Sequence, residues 1–517
     1  MQWDKVAQKV AQKSSLGVAF LSLLALSGCA SLDLEPLKAN EVATTVAADK
    51  ETLGRDVEPL AGALSLEEAV ARAIKYNAER RVKSLEEAFA NGTWEAQRYD
   101  MLPKVIASAG YRYRDKDLIT SSEDSVTGLP SLSHPYISSD RTALTSELGF
   151  SWSLLDFGQS YFAAKQNADR ALIAGERRRK AIHNLIQEVR TSYWRVVAAQ
   201  KLSESLRSTM QEAENALEKA RQSENERLRS PLEPLRYQRQ LLENLRLLEQ
   251  IDQELSTARI ELATLTNLPL SQKIEVVEPA VTVNKVWLGV PVESMEECAL
   301  QHNPDLRESM YNARIARQET RRTILRLFPG LSFNYATKHS DDSYLIHKSW
   351  NEAGAQISFN LLGLLAAPAQ MRMADAGVAL ADQKRMATQM AVVTQLHLAR
   401  LQYANAVRVF DRAELIADVD QRIADHIGNL ARTEKQSQLE NVAQQTTSIL
   451  STLRRYQALS NAQAAASRLQ ASLGLETAVT GNDTMPLQDL AGVVAQTLKT
   501  WESGQLPVLA DDAQGKE

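Results

Sequence analysis

Seven histidines are the first residues to inspect for chemistry: His134, His183, His302, His339, His347, His397 and His426. They are scattered, and no pair has the H-E-x-x-H spacing that puts two imidazoles on one helical face for zinc. No P-loop and no Gly-rich dinucleotide fingerprint accompanies them. His339, Asp341, Asp342 and His347 do cluster, with donor types that suit a metal, but a solvated loop is the preferred reading. Arg177, Arg178, Arg179 and Lys180 form a basic run read as a solvated helix face. The chain reads as no enzyme, with no catalytic residues, no metal site and no cofactor. The formal charge of −5 also gives no reason to expect nucleic acid, whose binders carry a basic stripe.

One cysteine has a different context. Lys5, Lys9 and Lys13 precede a short apolar run, Leu16 to Leu26, which is too short to span a bilayer. It ends in Leu26, Ser27, Gly28 and Cys29, which resembles the lipobox of bacterial lipoproteins. In that class residues 1–28 are removed and Cys29 carries the covalent lipid, palmitate included. Ala30 follows where an Asp would imply inner-membrane retention, so the resemblance implies the outer membrane of a Gram-negative envelope. The second cysteine, Cys298, is far away, and two cysteines make no disulfide scaffold.

The elements that follow are long. Gly 21 and Pro 15 in 517 residues fall below the ~36 and ~26 of average usage, which argues for few breaks and long helices. No run of 18 apolar residues offers a transmembrane helix. The body is one unit written twice. Asn77 and Leu102-Pro103 reappear as Asn303 and Phe328-Pro329, at an offset of 226. Trp152, Ser230 to Glu233 and Asn267-Leu268 reappear as Phe359, Ser437 to Glu440 and Gly474-Leu475, at an offset of 207. The difference of 19 residues belongs to the first copy, between Pro103 and Trp152. The repeats span 64–268 and 291–475, with a linker at 269–290, an N-terminal mature segment at 29–63 and a C-terminal segment at 476–517.

Within each repeat the hydrophobic period switches from two to about 3.5. Val105, Ala107, Ala109, Tyr111 and Tyr113 alternate with polar residues, as do Leu144, Leu148, Phe150, Trp152 and Leu154. Leu331, Phe333 and Tyr335, then Ala353, Ala355, Ile357, Phe359 and Leu361, do the same in the second copy. Each repeat therefore holds one β-hairpin, at about 103–155 and about 329–362. Strands of this length suit a tilted bilayer crossing, and a half-buried soluble sheet needs the same alternation. Four strands cannot close a barrel in lipid, where open edges find no water. Copies must then share one: eight strands make a dimer, twelve a trimer, and the arithmetic leaves both open. The opening helix, Leu66 to Met101, and the return helix, Pro231 to Thr266, have 36 residues each. End to end they match a single helix, Gln159 to Glu226, of about 100 Å. The second copy repeats the pattern from Val292, Leu364 and Gln438.

Leu64 to Val70, Asn77, Leu102-Pro103, Leu154 to Gly158 and Ser230 to Glu233 resemble the TolC-like outer membrane factors. The resemblance implies a mainly α fold with a small β part, in a homotrimer. Its twelve-stranded outer-membrane barrel stands on a long periplasmic α-helical barrel. It also implies an exit duct for tripartite efflux or type I secretion, working with a periplasmic adaptor and an inner-membrane transporter. Residues 30–63 would run along the stalk, and the end of 476–517 would be disordered. At the tunnel tips, Ser230, Pro231 and Glu233 read as a capped helix start, repeated by Ser437 and Glu440. The family's tip glycines are replaced by Arg227 and Glu434, opposite charges able to pair between neighbouring tips or to signal a different adaptor. The adaptor-contact candidates are therefore Arg227, Ser230, Glu233, Glu434, Ser437 and Glu440. The alternative is a non-conducting coiled-coil envelope lipoprotein.

Overall fold

A computed structural model describes residues 36–131, 134–225, 232–279, 283–432, 438–475 and 485–507. The chain divides into two compact units, Met1–Val57 and Glu58–Glu517. In the first, α1 (Ala39–Gly54) starts with the Lys38 amide donating to the Glu41 carboxylate at 3.2 Å, and its described residues are all exposed.

The second unit carries both repeats. The first runs through α2 (Leu66–Tyr76), α3 (Ala78–Arg98), β1 (Lys104–Tyr113), a small ladder of β2 (Ile119–Thr120) with β3 (Tyr136–Ile137), β4 (Thr142–Ser153), α4 (Leu154–Asn225) and α5 (Leu232–Thr266). After a short α6 (Val286–Gly289), the second runs through α7 (Val292–His302), α8 (Pro304–Leu325), β5 (Gly330–Ser340), β6 (Ser349–Ser358), α9 (Gly363–Arg432) and α10 (Gln438–Leu473). A last helix, α11 (Leu487–Glu502), follows.

Three expectations need correction, the last of them that of the basic run on α4. The single 36-residue opening helix is two helices, because Asn77 adopts φ −63° and ψ 126° and turns the chain between them. Asn303 does the same between α7 and α8, at φ −64° and ψ 127°. Phe359 and Leu361 lie beyond β6, which ends at Ser358. The alternation persists past the strand because the next apolar residues already belong to the turn into α9.

The duplicated asparagines have duplicated work. Asn77 Oδ1 accepts from the Arg80 amide at 3.0 Å, capping α3, while its Nδ2 donates to Leu265 O at 3.4 Å, at the end of α5. Asn303 Oδ1 accepts from the Asp305 and Leu306 amides, and its Nδ2 donates to Ser472 O at 3.0 Å, at the end of α10. Each side chain satisfies orphan amides of one helix and a terminal carbonyl of another. The return helices end alike as well, with Asn267 at φ 52° and Gly474 at φ 69° in the left-handed C-cap region.

The two long helices, with 72 and 70 residues, reach about 100 Å each. α4 packs against α3 along its first part and α5 along its second, and α9 packs likewise against α8 and α10. α4 also contacts α8 and α10, joining the repeats. Buried Ala213, Leu217, Leu241, Leu245 and Val442 form one core where α4, α5 and α10 meet. The basic run is only partly the solvated face expected: Arg177 and Lys180 are exposed, Arg178 and Arg179 half-buried, and the run is engaged in ion pairs. Arg177 pairs with Glu308, Arg178 with Glu87 and Lys180 with Asp305, at 2.6–2.7 Å, so the run ties α4 to helices of both repeats.

Candidate functional site

The four long strands form one antiparallel sheet in the order β1-β4-β5-β6. Its register decides which side chains share a face. Val105 lies opposite Phe150, Phe150 opposite Tyr335, and Tyr335 opposite Ala353. Ala107 meets Leu148, Trp152 meets Phe333 and Leu331 meets Ile357. Leu154 opens α4, and Phe359 and Leu361 follow β6, but within the strands the alternating apolar residues read from the sequence therefore fall on one face. It is exposed: Val105, Tyr111, Leu148, Phe333, Tyr335 and Ile357 are all open in the single chain. A continuous exposed apolar patch of this size marks contact with something other than water.

The opposite face is polar. Ser108, Glu147, Lys338 and Trp350 lie in one row across it, and Lys338 Nζ pairs with Glu352 Oε2 at 2.7 Å. Arg112 lies further along β1, 3.6 Å from Asp342. The sequence reading missed Lys338 and Glu352 because it stopped β5 at Tyr335 and began β6 at Ala353. The signal was present, since both occupy the polar phase of the alternation.

The loops at the far end of the hairpins interlock. Asp342 accepts from Ser139 Oγ at 3.1 Å and from the amides of Asp140 and Tyr344. Asp140 accepts from Ser343 Oγ at 2.8 Å, and Asp341 from the Leu144 amide at 2.6 Å. His339 Nδ1 is 2.8 Å from Ser349 Oγ. The carboxylates of this loop cluster thus serve backbone and hydroxyl donors.

His183, His302 and His397 also have local partners. His183 is buried, stacked on Trp501 with ring centroids 5.3 Å apart, and its Nε2 lies 2.8 Å from Leu475 O. Burial pushes its pKa down to about 4, and Arg179 adds to the shift. His397 contacts Glu296 at 2.6 Å. Burial raises the Cys298 thiol to about 11, leaving it unreactive at neutral pH.

Of the sequence-derived site residues, Cys29, Arg227, Ser230, Glu434 and Ser437 lie outside the described residues, as does the side chain of Glu233. Glu440 is exposed in the first turn of α10, where an acidic side chain complements the helix dipole.

Residues 72–268, the greater part of the first repeat, match the family model described as outer membrane efflux protein. Over this segment the chain is similar to the outer membrane efflux protein family. The likeness in fold to solved structures extends over both repeats. The chain is similar to a membrane protein from Pseudomonas aeruginosa, with TM-score 0.61 and 14% identity over 79% of this chain and 90% of that one. It is similar to the CmeC outer membrane channel of Campylobacter jejuni, with TM-score 0.61 and 11% identity over 85% and 89% of the two chains. The open-state MtrE outer membrane channel of Neisseria gonorrhoeae gives TM-score 0.56 and 15% identity over 79% and 88%. No curated protein matches the sequence.

Proposed function

We propose that the chain is one protomer of a trimeric outer-membrane exit duct. The observation that carries this reading is the sheet: four strands with one apolar face, one polar face and two edges, β1 and β6. In lipid those edges must pair, and the face pattern matches a barrel with lipid outside and water inside. The helices line up in the same order as the strands, α3-α4-α8-α9, so sheet and helices present corresponding edges. An edge of one kind meeting an edge of the other generates a ring. Three copies give the twelve strands implied by the resemblance to TolC-like factors.

Strands of 10 to 12 residues cross a bilayer when tilted. The long helices then extend the duct about 100 Å into the periplasm. There the tips, with Arg227, Ser230, Glu233, Glu434, Ser437 and Glu440, meet a periplasmic adaptor and, through it, an inner-membrane transporter. Cys29, acylated, anchors the mature N-terminus to the outer membrane. Substrates pass from that assembly to the exterior in efflux or type I secretion. A non-conducting spacer lipoprotein would have no use for an apolar sheet face of membrane height.

The test is conductance of the purified protein in planar bilayers, with heat-modifiable trimers on a gel. Stepwise channels from the trimeric species are expected. A protein that inserts as a trimer without conducting, or stays monomeric and soluble, overturns the reading.

A further inference from the structure

A cavity of 290 Å³ lies where the middle of α4, the last third of α10, α9 at Tyr403, the segment from Val283 to Trp287 and the end of α11 converge. It far exceeds the ~10–15 Å³ that admits one water. Among its lining residues are Arg190, Asn284, Trp287, Tyr403, Gln470 and Glu502. Neither the sheet nor the helix tips touch it, and the duct needs none of these groups.

Arg190 gives the cavity its chemistry. It is 3% exposed; Nη1 donates to Ser467 Oγ at 3.0 Å and Nη2 to Gln463 Oε1. Its Nε is buried with no hydrogen-bond partner. Among the described residues the guanidinium has no ion pair; Ser467 and Gln463 are neutral. Gln470, 2% exposed, likewise leaves Oε1 without a partner. A buried cation hydrogen-bonded only to neutral groups is costly, and burial holds the Arg190 pKa down against the opposing pull of Glu502. The opposite charge on the cavity wall is Glu502, which is exposed at the end of α11 and therefore sits at the rim.

A positive floor, a negative rim and amide and phenol groups between them select a particular ligand. Guanidinium N–H groups left over from Ser467 and Gln463 suit the two oxygens of a carboxylate. A dianion such as phosphate would meet repulsion from Glu502, whereas a ligand with its own ammonium turns that repulsion into attraction. We infer that this cavity binds a small zwitterion of α-amino-acid type, its carboxylate on Arg190 and its ammonium toward Glu502. The bound molecule bridges α4 and α10 of the two repeats to α11, and so fastens the C-terminal helix to the stalk.

The experiment uses the purified full-length protein in detergent, titrated with glycine, acetate, ethylammonium and inorganic phosphate by calorimetry, with thermal unfolding alongside. Glycine is expected to bind saturably and raise Tm, acetate to bind at least tenfold more weakly, and ethylammonium and phosphate not to bind. Glu502→Gln, at an exposed position, should bring glycine and acetate within about twofold of each other. Arg190→Gln should abolish both. If glycine shows no saturable binding, if phosphate outcompetes it, or if Glu502→Gln leaves the glycine preference intact, the inference fails. Arg190→Gln can fail to fold, so Glu502→Gln carries the decision. No conductance enters these readouts, so the cavity and the duct stand or fall separately.

Discussion

At the residue scale, the repeat is written in backbone requirements more than in side-chain identity. Asn267 and Gly474 differ in type, yet both occupy the left-handed region at the ends of return helices. Their common offset was legible; the reason was not, since only the structure shows that a Cβ on Gly474 would collide with the His302 carbonyl. Gly474→Ala should therefore cost more than the ~1–2 kcal/mol of a left-handed L-residue, because backbone cannot yield as a side chain does. A variant that melts with the parent would show that the turn is looser. His183 makes a second prediction. Its native pKa of about 4 lies below the ordinary 6.5, so the unfolded chain takes up the proton first as pH falls. Stability is then full above pH 6.5, declines as pH drops toward 4 and levels off below it, losing at most about 3 kcal/mol. Thermal unfolding from pH 7 to 4 should show this slope, and His183→Asn should flatten its contribution; an unchanged slope would assign it to other groups.

At the element scale, alternation in the sequence correctly grouped the apolar residues of all four strands, since period two needs no knowledge of partners. Strand ends were less legible. His339 and Ser349, opposite each other in β5 and β6, have no apolar side chain to report them, and only the pairing extends the ladder to them. That extension places Lys338 between Glu147 and Glu352 on the polar face. One cation between two anions leaves each sheet a single negative charge at this level, and Lys338→Glu makes it three. In the proposed duct the variant should shift the reversal potential in a KCl gradient toward stronger cation preference. The shift should shrink as salt rises above ~0.1 M and screening shortens. An unchanged potential at low salt would mean that this face does not line the conducting path.

At the scale of the whole molecule, the arrangement of edges makes the strongest demand. Val82, Leu85 and Phe89 recur at helical spacing on α3 and are open in the single chain, Leu85 at 68% and Phe89 at 79%. Leu380, Met386 and Met390 are similarly open on α9. In the proposed ring these stripes meet between neighbouring copies. Phe89→Asp should keep the helical circular dichroism of the chain but abolish the trimer on a gel and the conductance. A conducting trimer from this variant would place the contact elsewhere.

The sequence by itself determined the duplication, the length of the two long helices, the apolar phase of the strands and the recurrence of Asn77 as Asn303, because periodicity and local repeats are properties of neighbouring residues. Only the tertiary structure decided the break at Asn77, the ion pairs of Arg177, Arg178 and Lys180, and the polar cavity around Arg190. Each of these joins residues on different elements, up to 312 positions apart for Arg190 and Glu502, which line one cavity. No local pattern encodes such a meeting; it exists only once long helices have been laid side by side.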